Sequence, residues 1–502
     1  MYQVQLHSGE DNTDMKLRWN QIDWKKAEEQ VNRLQLRIVK ATMEQKWRLV
    51  KRLQYLMTNS FYAKALAVKR VVTNKGKKTP GIDGELWETD KEKMKAVQSL
   101  DTQTYHAHPL RRIYIEKFGK KEKRPLGIPT MKDRAMQALQ LLALEPVAET
   151  TADRISFGFR RYRSPEDARE YAFSVLSRKD SPRWILEGDI KSCFDKISHQ
   201  WMLDNIPTDK RILTEFSKCG YIERGQLFPT EEGSPQGGVI SPTYANMVLD
   251  GLEPMILDKY WRSRVKKTFS VKYNNHKVHM VRFADDFVVT ASDKETLEEI
   301  KTMIEDFLKI RGLTLSKEKT VITHIDEGFD FLGWNFRKFK GKLIIKPSHK
   351  SMCKITKKVS ELIKSNRTAK QETLIRKLNE VTRGWVNYHH STCAKRAFGT
   401  IDHRIWEMLW RWSKRRHPNK GKRWIVDKYW KTHKGRKWTF MTDKNILFLM
   451  MDMPIVRKGQ MTLAKNPFLD QEYFENRARK QRFNRKKAIC SNRAAQIGYY
   501  AL

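Results

Sequence analysis

Between Trp19 and Ala67 apolar side chains recur at helical spacing, at Ile22, Trp24, Ala27, Val31, Leu34 and Ile38, and neither glycine nor proline interrupts them. That period predicts two or three amphipathic helices. A basic, turn-rich break follows at Asn74-Lys75-Gly76-Lys77-Lys78-Thr79-Pro80-Gly81. From about Ile82 onward helical stretches alternate with short runs rich in β-branched and aromatic residues. Strands are expected at Arg112–Glu116, Trp184–Asp189, Met280–Phe283 paired with Phe287–Thr290, and Leu343–Ile345. The alternation predicts an α+β chain.

The last 150 or so residues change character. Between Arg411 and Lys437 twelve Lys and Arg stand against one acid, Asp427, and Trp412, Trp424, Trp430 and Trp438 are interleaved with them. Cationic side chains supply sequence-independent phosphate contacts and aromatic faces stack on exposed bases, so the mixture suits RNA or unpaired DNA. A solvated basic face over a tryptophan-containing core fits it equally well. A second run, Arg477–Lys487, holds seven basic residues and no acid, and is expected as a helix or a tail that orders on nucleic acid.

At roughly 150 residues per domain, 502 residues correspond to about three domains. An apolar fraction of 39% with 15 Trp, 22 Phe and 16 Tyr marks a folded chain despite its charge. Set against 58 Asp and Glu, 99 Lys and Arg leave a net charge of +41, an excess best matched by nucleic acid and next by a membrane surface. Apolar stretches such as Ile446–Met451 fall far short of the ~20 residues that span a bilayer, and the first thirty residues contain no signal-peptide core. A non-secreted protein of the bacterial cytoplasm or an organellar matrix, with no membrane partner, is expected. The five cysteines form no CxxC pair, and no GxxxxGK[ST], GxGxxG or HExxH occurs.

The chemistry is concentrated in carboxylates. Met280-Val281-Arg282-Phe283-Ala284-Asp285-Asp286-Phe287-Val288-Val289 reads as strand, tight turn, strand, with both acids expected at the hairpin tip. Like charges there are costly unless a cation neutralises them. A third acid stands in matching context, because Trp184-Ile185-Leu186-Glu187-Gly188-Asp189 is a short apolar strand ending at an aspartate. Two strands that each deliver a carboxylate can converge on a pair of Mg²⁺ ions about 3.5–4 Å apart, which activate a 3′-hydroxyl and stabilise the leaving pyrophosphate.

This order and context resemble a reverse transcriptase, and specifically the group II intron reverse transcriptase/maturase family. Ile113-Tyr114-Ile115-Glu116-Lys117 with Lys123-Arg124-Pro125-Leu126-Gly127-Ile128-Pro129 resembles the family's fingertip segment, which implies that Lys117 and Arg124 hold the triphosphate of the incoming nucleotide. Gly233-Ser234-Pro235-Gln236-Gly237-Gly238-Val239-Ile240-Ser241-Pro242 resembles the motif behind the nascent base pair, with Gln236 and the Gly237 backbone against nucleotide and template. Phe194 falls at the family's aromatic gate against the ribose 2′-hydroxyl. Gly312–Thr320 resembles the next motif, with Lys319 as proton donor to pyrophosphate, and Phe329-Asp330-Phe331-Leu332-Gly333-Trp334 the hairpin that grips the primer. Thr79-Pro80-Gly81-Ile82-Asp83-Gly84 resembles the opening segment, and Arg383-Gly384-Trp385-Val386-Asn387-Tyr388-His389-His390 the maturase (X) domain.

The resemblance implies a right-hand polymerase with a helical N-terminal extension at 1–81, fingers and ferredoxin-like palm at 82–345, a thumb/maturase domain at 346–425 and a basic DNA-binding region at 426–502. Asp189, Asp285 and Asp286, with the carbonyl of Ile190, are expected to hold two Mg²⁺ ions. Arg383, Trp385, Tyr388, Arg411, Arg415, Arg416, Lys420, Lys422, Arg423, Lys434, Arg436 and Lys437 are expected against RNA or DNA. Implied partners are intron RNA, target DNA and deoxynucleoside triphosphates. The implied function is copying of the intron RNA by target-primed reverse transcription, together with assistance to splicing and reverse splicing. Phe283 stands where the family often has Tyr, which leaves metal binding untouched. After residue 393 the chain has one cysteine, Cys490, and its final histidine is His433, so the HNH nuclease that ends many members is not expected here. The alternatives are a splicing-only RNA-binding maturase and a reverse transcriptase of a defence or CRISPR-type system.

Overall fold

The computed structural model describes residues 18–116, 119, 122–234, 237–262, 270–433 and 435–498. The N-terminal period resolves into three helices, α1 (Trp24–Met43), α2 (Trp47–Asn59) and α3 (Phe61–Thr73). Asp23 caps the first by accepting the Lys25 and Lys26 N–H groups, satisfying donors that the helix leaves free. A fourth helix, α4 (Asp90–Ser99), begins with a Thr89/Glu92 capping box. Next come the antiparallel hairpin β1 (Leu110–Glu116) and β2 (Lys123–Ile128), then α5 (Met131–Thr151), a helix apolar on nearly every side. It is buried because α1 to α3 pack around it, and Gln35 ties α1 to it through a 2.9 Å bond to the Leu142 carbonyl. One apolar core runs from Ile22 to Leu315, so no break in packing marks a border near residue 81.

The middle of the chain contributes α6 (Pro165–Leu176), β3 (Trp184–Asp189), α7 (Cys193–Lys196), α8 (His199–Asn205), α9 (Lys210–Lys218), β4 (Tyr221–Glu223), β5 (Gln226–Phe228), α10 (Ser241–Leu249) and α11 (Leu252–Tyr260). After these follow β6 (His279–Phe283), β7 (Asp286–Ala291), α12 (Lys294–Lys309) and β8 (Val321–His324). The finger sheet has the order β2-β1-β4-β5, and the palm sheet β6-β7-β3-β8. Reading the palm in chain order gives strand, helices, strand, strand, helix, strand with the first strand central, which is the split βαβ arrangement of a ferredoxin-like palm.

The chain continues through the meander β9 (Phe329–Phe331), β10 (Trp334–Phe339) and β11 (Lys342–Pro347) into a helical thumb. This comprises α13 (His349–Ser365), α14 (Gln371–His389), α15 (Lys395–Arg416) and α16 (Lys422–Tyr429), closed by the hairpin β12 (Trp430–His433) and β13 (Arg436–Phe440). Its core joins Ile355, Leu374, Val386, Phe398 and Leu409 to Tyr429, Trp430, Phe440 and Met450, so the expected border at 425/426 runs through continuous packing. Beyond it the chain returns to the palm. Met461 and Phe474 are buried with Phe157, Ile185 and Trp334, and the ring of Phe474 stacks on Tyr162 at 5.0 Å. The final helix, α17 (Gln471–Gly498), contains the second basic run, and its Arg477 pairs at 2.6 Å with buried Asp167 of α6, which Lys458 meets at 3.1 Å.

Among the described residues no helix is long and apolar enough to cross a membrane. Cys193, Cys219, Cys353 and Cys393 are unpaired. The returning segment makes a specific demand: Phe474→Ala should cost about 3–5 kcal/mol and expose residues 454–470 to protease before the rest unfolds. Cleavage no faster than in wild type would show that the Phe474 contact does not hold the segment down.

Candidate active site

Strand β3 lies between β7 and β8, with Ile185 and Leu186 buried, and it ends on Asp189 at the edge of the core. Its neighbour Gly188 is required by packing. A Cβ there would come 2.1 Å from Cζ of Phe287, the residue paired with it across the ladder. The same register sets Asp189 opposite Asp286. On the other side the β6–β7 hairpin closes on the pair Phe283 and Asp286, leaving Ala284 and Asp285 as the two turn residues, with Ala284 at φ +57°. Only Asp285 therefore occupies the tip. The expectation that both acids sit there is corrected, because ladder pairing extends one residue further than turn chemistry implies.

Crowded acids raise one another's proton affinity. Burial first, then the charges of Asp285 and Asp189, push Asp286 up to about 7, and it shares a hydrogen bond with Asp189. Burial also raises Asp285, while the charges of Lys319 and Arg124 act against the rise. Lys319 Nζ stands 2.6 Å from Asp189 Oδ2. Among the described residues no three acidic, His or Cys side chains already surround one point. The Lys319 ammonium alone stands against Asp189 as an ion pair among the described residues. The carboxylates are hard oxygen donors gathered where positive charge is needed, a set that fits divalent cations such as Mg²⁺. Ile190 bridges to Leu315 through Lys191 N–H to Thr314 C=O (2.9 Å) and Ser316 N–H to Asp189 C=O (2.8 Å), bonds that leave its own carbonyl out.

The nucleotide-side candidates surround this cluster. Phe194, half-buried on α7, meets the ring of Phe159 edge-on at 6.2 Å, and its carbonyl accepts the Ser234 N–H at 2.6 Å. Gly237 adopts φ +117° and lies so close to β2 that a Cβ would reach the Gly127 carbonyl at 2.8 Å. That contact places the Gly-rich loop beside the strand bearing Arg124. Lys117 and Gln236 lie outside the described residues.

Four supporting residues escaped the sequence reading. Gln137 accepts the Val239 N–H at 2.7 Å and anchors the loop to α5. Gly158 presses on the catalytic turn, where a Cβ would approach Ala284 N to 2.3 Å. Phe159 stands beside Phe194 with positive φ. Arg282, fully buried in β6, pairs with Asp250, lies 3.8 Å from Asp153 and exchanges backbone bonds with Ile155 and Phe157. An arginine inside an apolar strand run was the available signal, since a charge so placed needs buried partners.

The thumb candidates divide. Trp385 and Tyr388 are half-buried and engaged in packing: the indole N–H of Trp385 donates to Ser351 Oγ at 3.0 Å, and Tyr388 stacks on Trp334 at 4.4 Å. Arg383 is exposed beside the Phe448 ring. Trp412 and Trp430 belong to the core, whereas Trp424 and Trp438 are exposed. Arg411, Arg415, Lys420, Lys422, Arg423 and Lys437 face solvent, Arg416 donates to the Arg367 and Ala369 carbonyls, and Arg436 pairs with Asp452 at 3.0 Å. Lys434 lies outside the described residues.

A ferredoxin-like palm with acids at its strand ends, covered by fingers and a helical thumb, defines a right-hand nucleic-acid polymerase. Family models match along its length: N-terminal domain of reverse transcriptase at residues 19–100, reverse transcriptase (RNA-dependent DNA polymerase) at 115–336, and the group II intron maturase-specific domain at 352–430. Protein YkfC of Escherichia coli K12 is 32% identical over 322 residues, covering 57% of this chain and 82% of YkfC. The group II intron-encoded protein LtrA of Lactococcus lactis subsp. cremoris is 31% identical over 341 residues, covering 57% of this chain and 56% of LtrA. The chain thus spans little more than half the length of that relative. A telomerase structure from Candida albicans aligns at 13% identity with a TM-score of 0.36, over 65% of this chain and 64% of that one, too distant to carry an argument. The chain belongs to the group II intron-encoded reverse transcriptase/maturase family.

Two outcomes are expected. Gly158→Ala should displace the catalytic turn, lower nucleotide addition by on the order of 10²-fold and lower the melting temperature, because the added Cβ meets backbone; undiminished addition would show that the turn tolerates the shift. Asp286 has its folded pKa raised, so its contribution to stability is full below the ordinary value of 3.8 and is lost as pH rises through about 7. The rise in melting temperature produced by Mg²⁺ should therefore grow between pH 5 and pH 8, and vanish in Asp285→Asn/Asp286→Asn. An increment independent of pH would contradict this account of the cluster.

Proposed function

We propose that this protein is an RNA-directed DNA polymerase that copies its intron RNA by target-primed reverse transcription, and a maturase that binds the same RNA to assist splicing and reverse splicing. The observation that carries the reading is the pairing of Asp189 with Asp286 beside Asp285, in a chain whose thumb is a maturase domain. Asp189, Asp285 and Asp286, with the Ile190 carbonyl, hold two Mg²⁺ ions. When bound, these supply activation of the primer 3′-hydroxyl and charge stabilisation at the leaving pyrophosphate.

The protein's own groups do the rest. Arg124 and Lys117 grip the triphosphate, the first as a planar fork and the second as a point charge. Gln236 and the Gly237 backbone lie against nucleotide and template. Phe194, backed by Phe159, leaves no room for a ribose 2′-hydroxyl. Lys319, fixed on a turn bonded to the Asp189 backbone, delivers a proton to pyrophosphate. The exposed cations from Arg411 to Lys437, with Trp424 and Trp438, contact RNA and target DNA phosphates and bases. The protein acts where its intron RNA resides, in a bacterial cytoplasm or an organellar matrix.

The test compares primer extension on an RNA template with splicing of the flanking intron, for wild type and Asp285→Ala/Asp286→Ala. The variant should lose cDNA synthesis by on the order of 10³-fold, the rate equivalent of several kcal/mol of lost charge stabilisation, and still promote splicing. A wild type that extends primers but leaves splicing unchanged would remove the maturase half. A wild type that splices without extending primers would make it a splicing factor only. Separately, Phe194→Ala should raise ribonucleotide incorporation; unchanged sugar discrimination would remove the gate assignment.

A further inference from the structure

Phe159 combines two features that rarely occur together. Its backbone lies in the left-handed region, at φ +57°, and its side chain is 55% exposed. A bulky non-glycine residue keeps that conformation only where its surroundings impose it, and burial of its own ring does not supply the constraint. The backbone on either side does. After it, Arg160 turns back: Nη1 donates to the Asp153 carbonyl at 2.7 Å and to the Ser156 carbonyl at 3.1 Å, and Nη2 donates to Glu149 at 2.7 Å. Before it, the Gly158 carbonyl accepts a 2.7 Å bond from Nδ2 of Asn246, a buried residue of α10.

The Asn246 amide can point only one way. Its Oδ1 faces Nη1 of Arg282 at 3.4 Å, and a guanidinium donates but does not accept, so the amide nitrogen is left for Gly158. Arg282 in turn bonds the same segment through its backbone, donating its N–H to the Ile155 carbonyl at 3.0 Å and accepting the Phe157 N–H at 2.9 Å. Helix α10 begins at Ser241, directly after the Gly-rich loop. Asn246 thus stands where that helix, strand β6 and the segment 155–159 meet. The Gly158–Phe159 peptide plane that it fixes sets φ of Phe159 and so aims the Phe159 ring, which meets Phe194 edge-on with centroids 6.2 Å apart. The strain of a left-handed non-glycine residue and the strength of a neutral hydrogen bond are of the same order, so this bond is large enough to decide the conformation.

Building on the gate reading of Phe194, we infer that Asn246 is a positioning residue for sugar selection. By bonding the Gly158 carbonyl it holds Phe159 left-handed, and the Phe159 ring holds Phe194 against the ribose 2′ position.

The full chain is assayed for addition of a deoxynucleotide and of the matching ribonucleotide to a DNA primer on an RNA template. Asn246→Asp keeps the size of the side chain and the acceptor that faces Arg282, and removes only the donor. Phe159→Ala removes a ring from an exposed position and serves equally if Asn246→Asp folds poorly. Each should lower the ratio of deoxynucleotide to ribonucleotide kcat/KM by roughly fivefold, the equivalent of one neutral hydrogen bond or one aromatic contact, with ribonucleotide kcat/KM rising above its wild-type value. A folding defect alone lowers both. The double variant should lose no more selectivity than the larger single effect, and neither substitution should alter the ratio further in Phe194→Ala. In the protein alone, with its phenylalanine rings isotope-labelled for NMR, the Phe194 ring signal should shift in Asn246→Asp and in Phe159→Ala. Relaxed selection in Phe194→Ala beside wild-type selection in Asn246→Asp and Phe159→Ala would overturn the inference, as would single effects that multiply in the double variant. Wild-type selection in Phe194→Ala would remove the gate reading and the sugar role with it, and a Phe194 signal unmoved in both other variants would overturn the linkage in either case.

Discussion

Setting Asp189 against Asp286 at the open end of a buried ladder brings negative charges together, and the surrounding structure answers that repulsion. Part of the answer is electrostatic: the Lys319 ammonium and the more distant Arg124. The larger part is mechanical. Phe287 fills the space that Gly188 leaves vacant, Gly158 presses on the hairpin turn, and Arg282 pins β6 to Asp250 and Asp153 in the interior. A buried cation with two acidic partners contributes little net stability, yet losing one member leaves a charge stranded, so the arrangement resists drift. Fixed acids are what an oxygen-liganded cation site demands.

The same division between what faces the core and what faces solvent governs the basic region. Its tryptophans do two jobs. Trp412 and Trp430 build the thumb core, while Trp424 and Trp438 remain outside among lysines and arginines. The core reading of the aromatic composition therefore holds for Trp412 and Trp430. The segment after Met453 is likewise part of the polymerase body, since Asp167 and the Phe474 pocket bind it to the palm.

Much of this was legible in local sequence. Trp184–Asp189 is a strand over the residues its apolar run marks, and the N-terminal period resolves into the helices it implies. What sequence missed depends on distant partners. The place of Asp286 in the ladder depends on a strand nearly a hundred residues earlier. Gly158 and Phe159 sit in an unremarkable loop, and only the fold brings them to the Ala284 turn and to Phe194. The β12–β13 hairpin was hidden because Lys431, Arg436 and Lys437 on its exposed positions read as a charge run. Trp385 and Tyr388 carried a nucleic-acid signature in sequence, but their rings are engaged in packing at the base of the thumb.

The shared core of the N-terminal helices and α5 also bears on synthesis. Gln35 and Leu142, bonded in the finished fold, are separated by 107 positions. At ribosomal speeds of about 5–20 residues per second, α1 emerges roughly 5–20 s before the helix it must pack against. For that interval its apolar stripe has only α2 and α3 to pack against, and its burial is completed by a helix made about a hundred residues later.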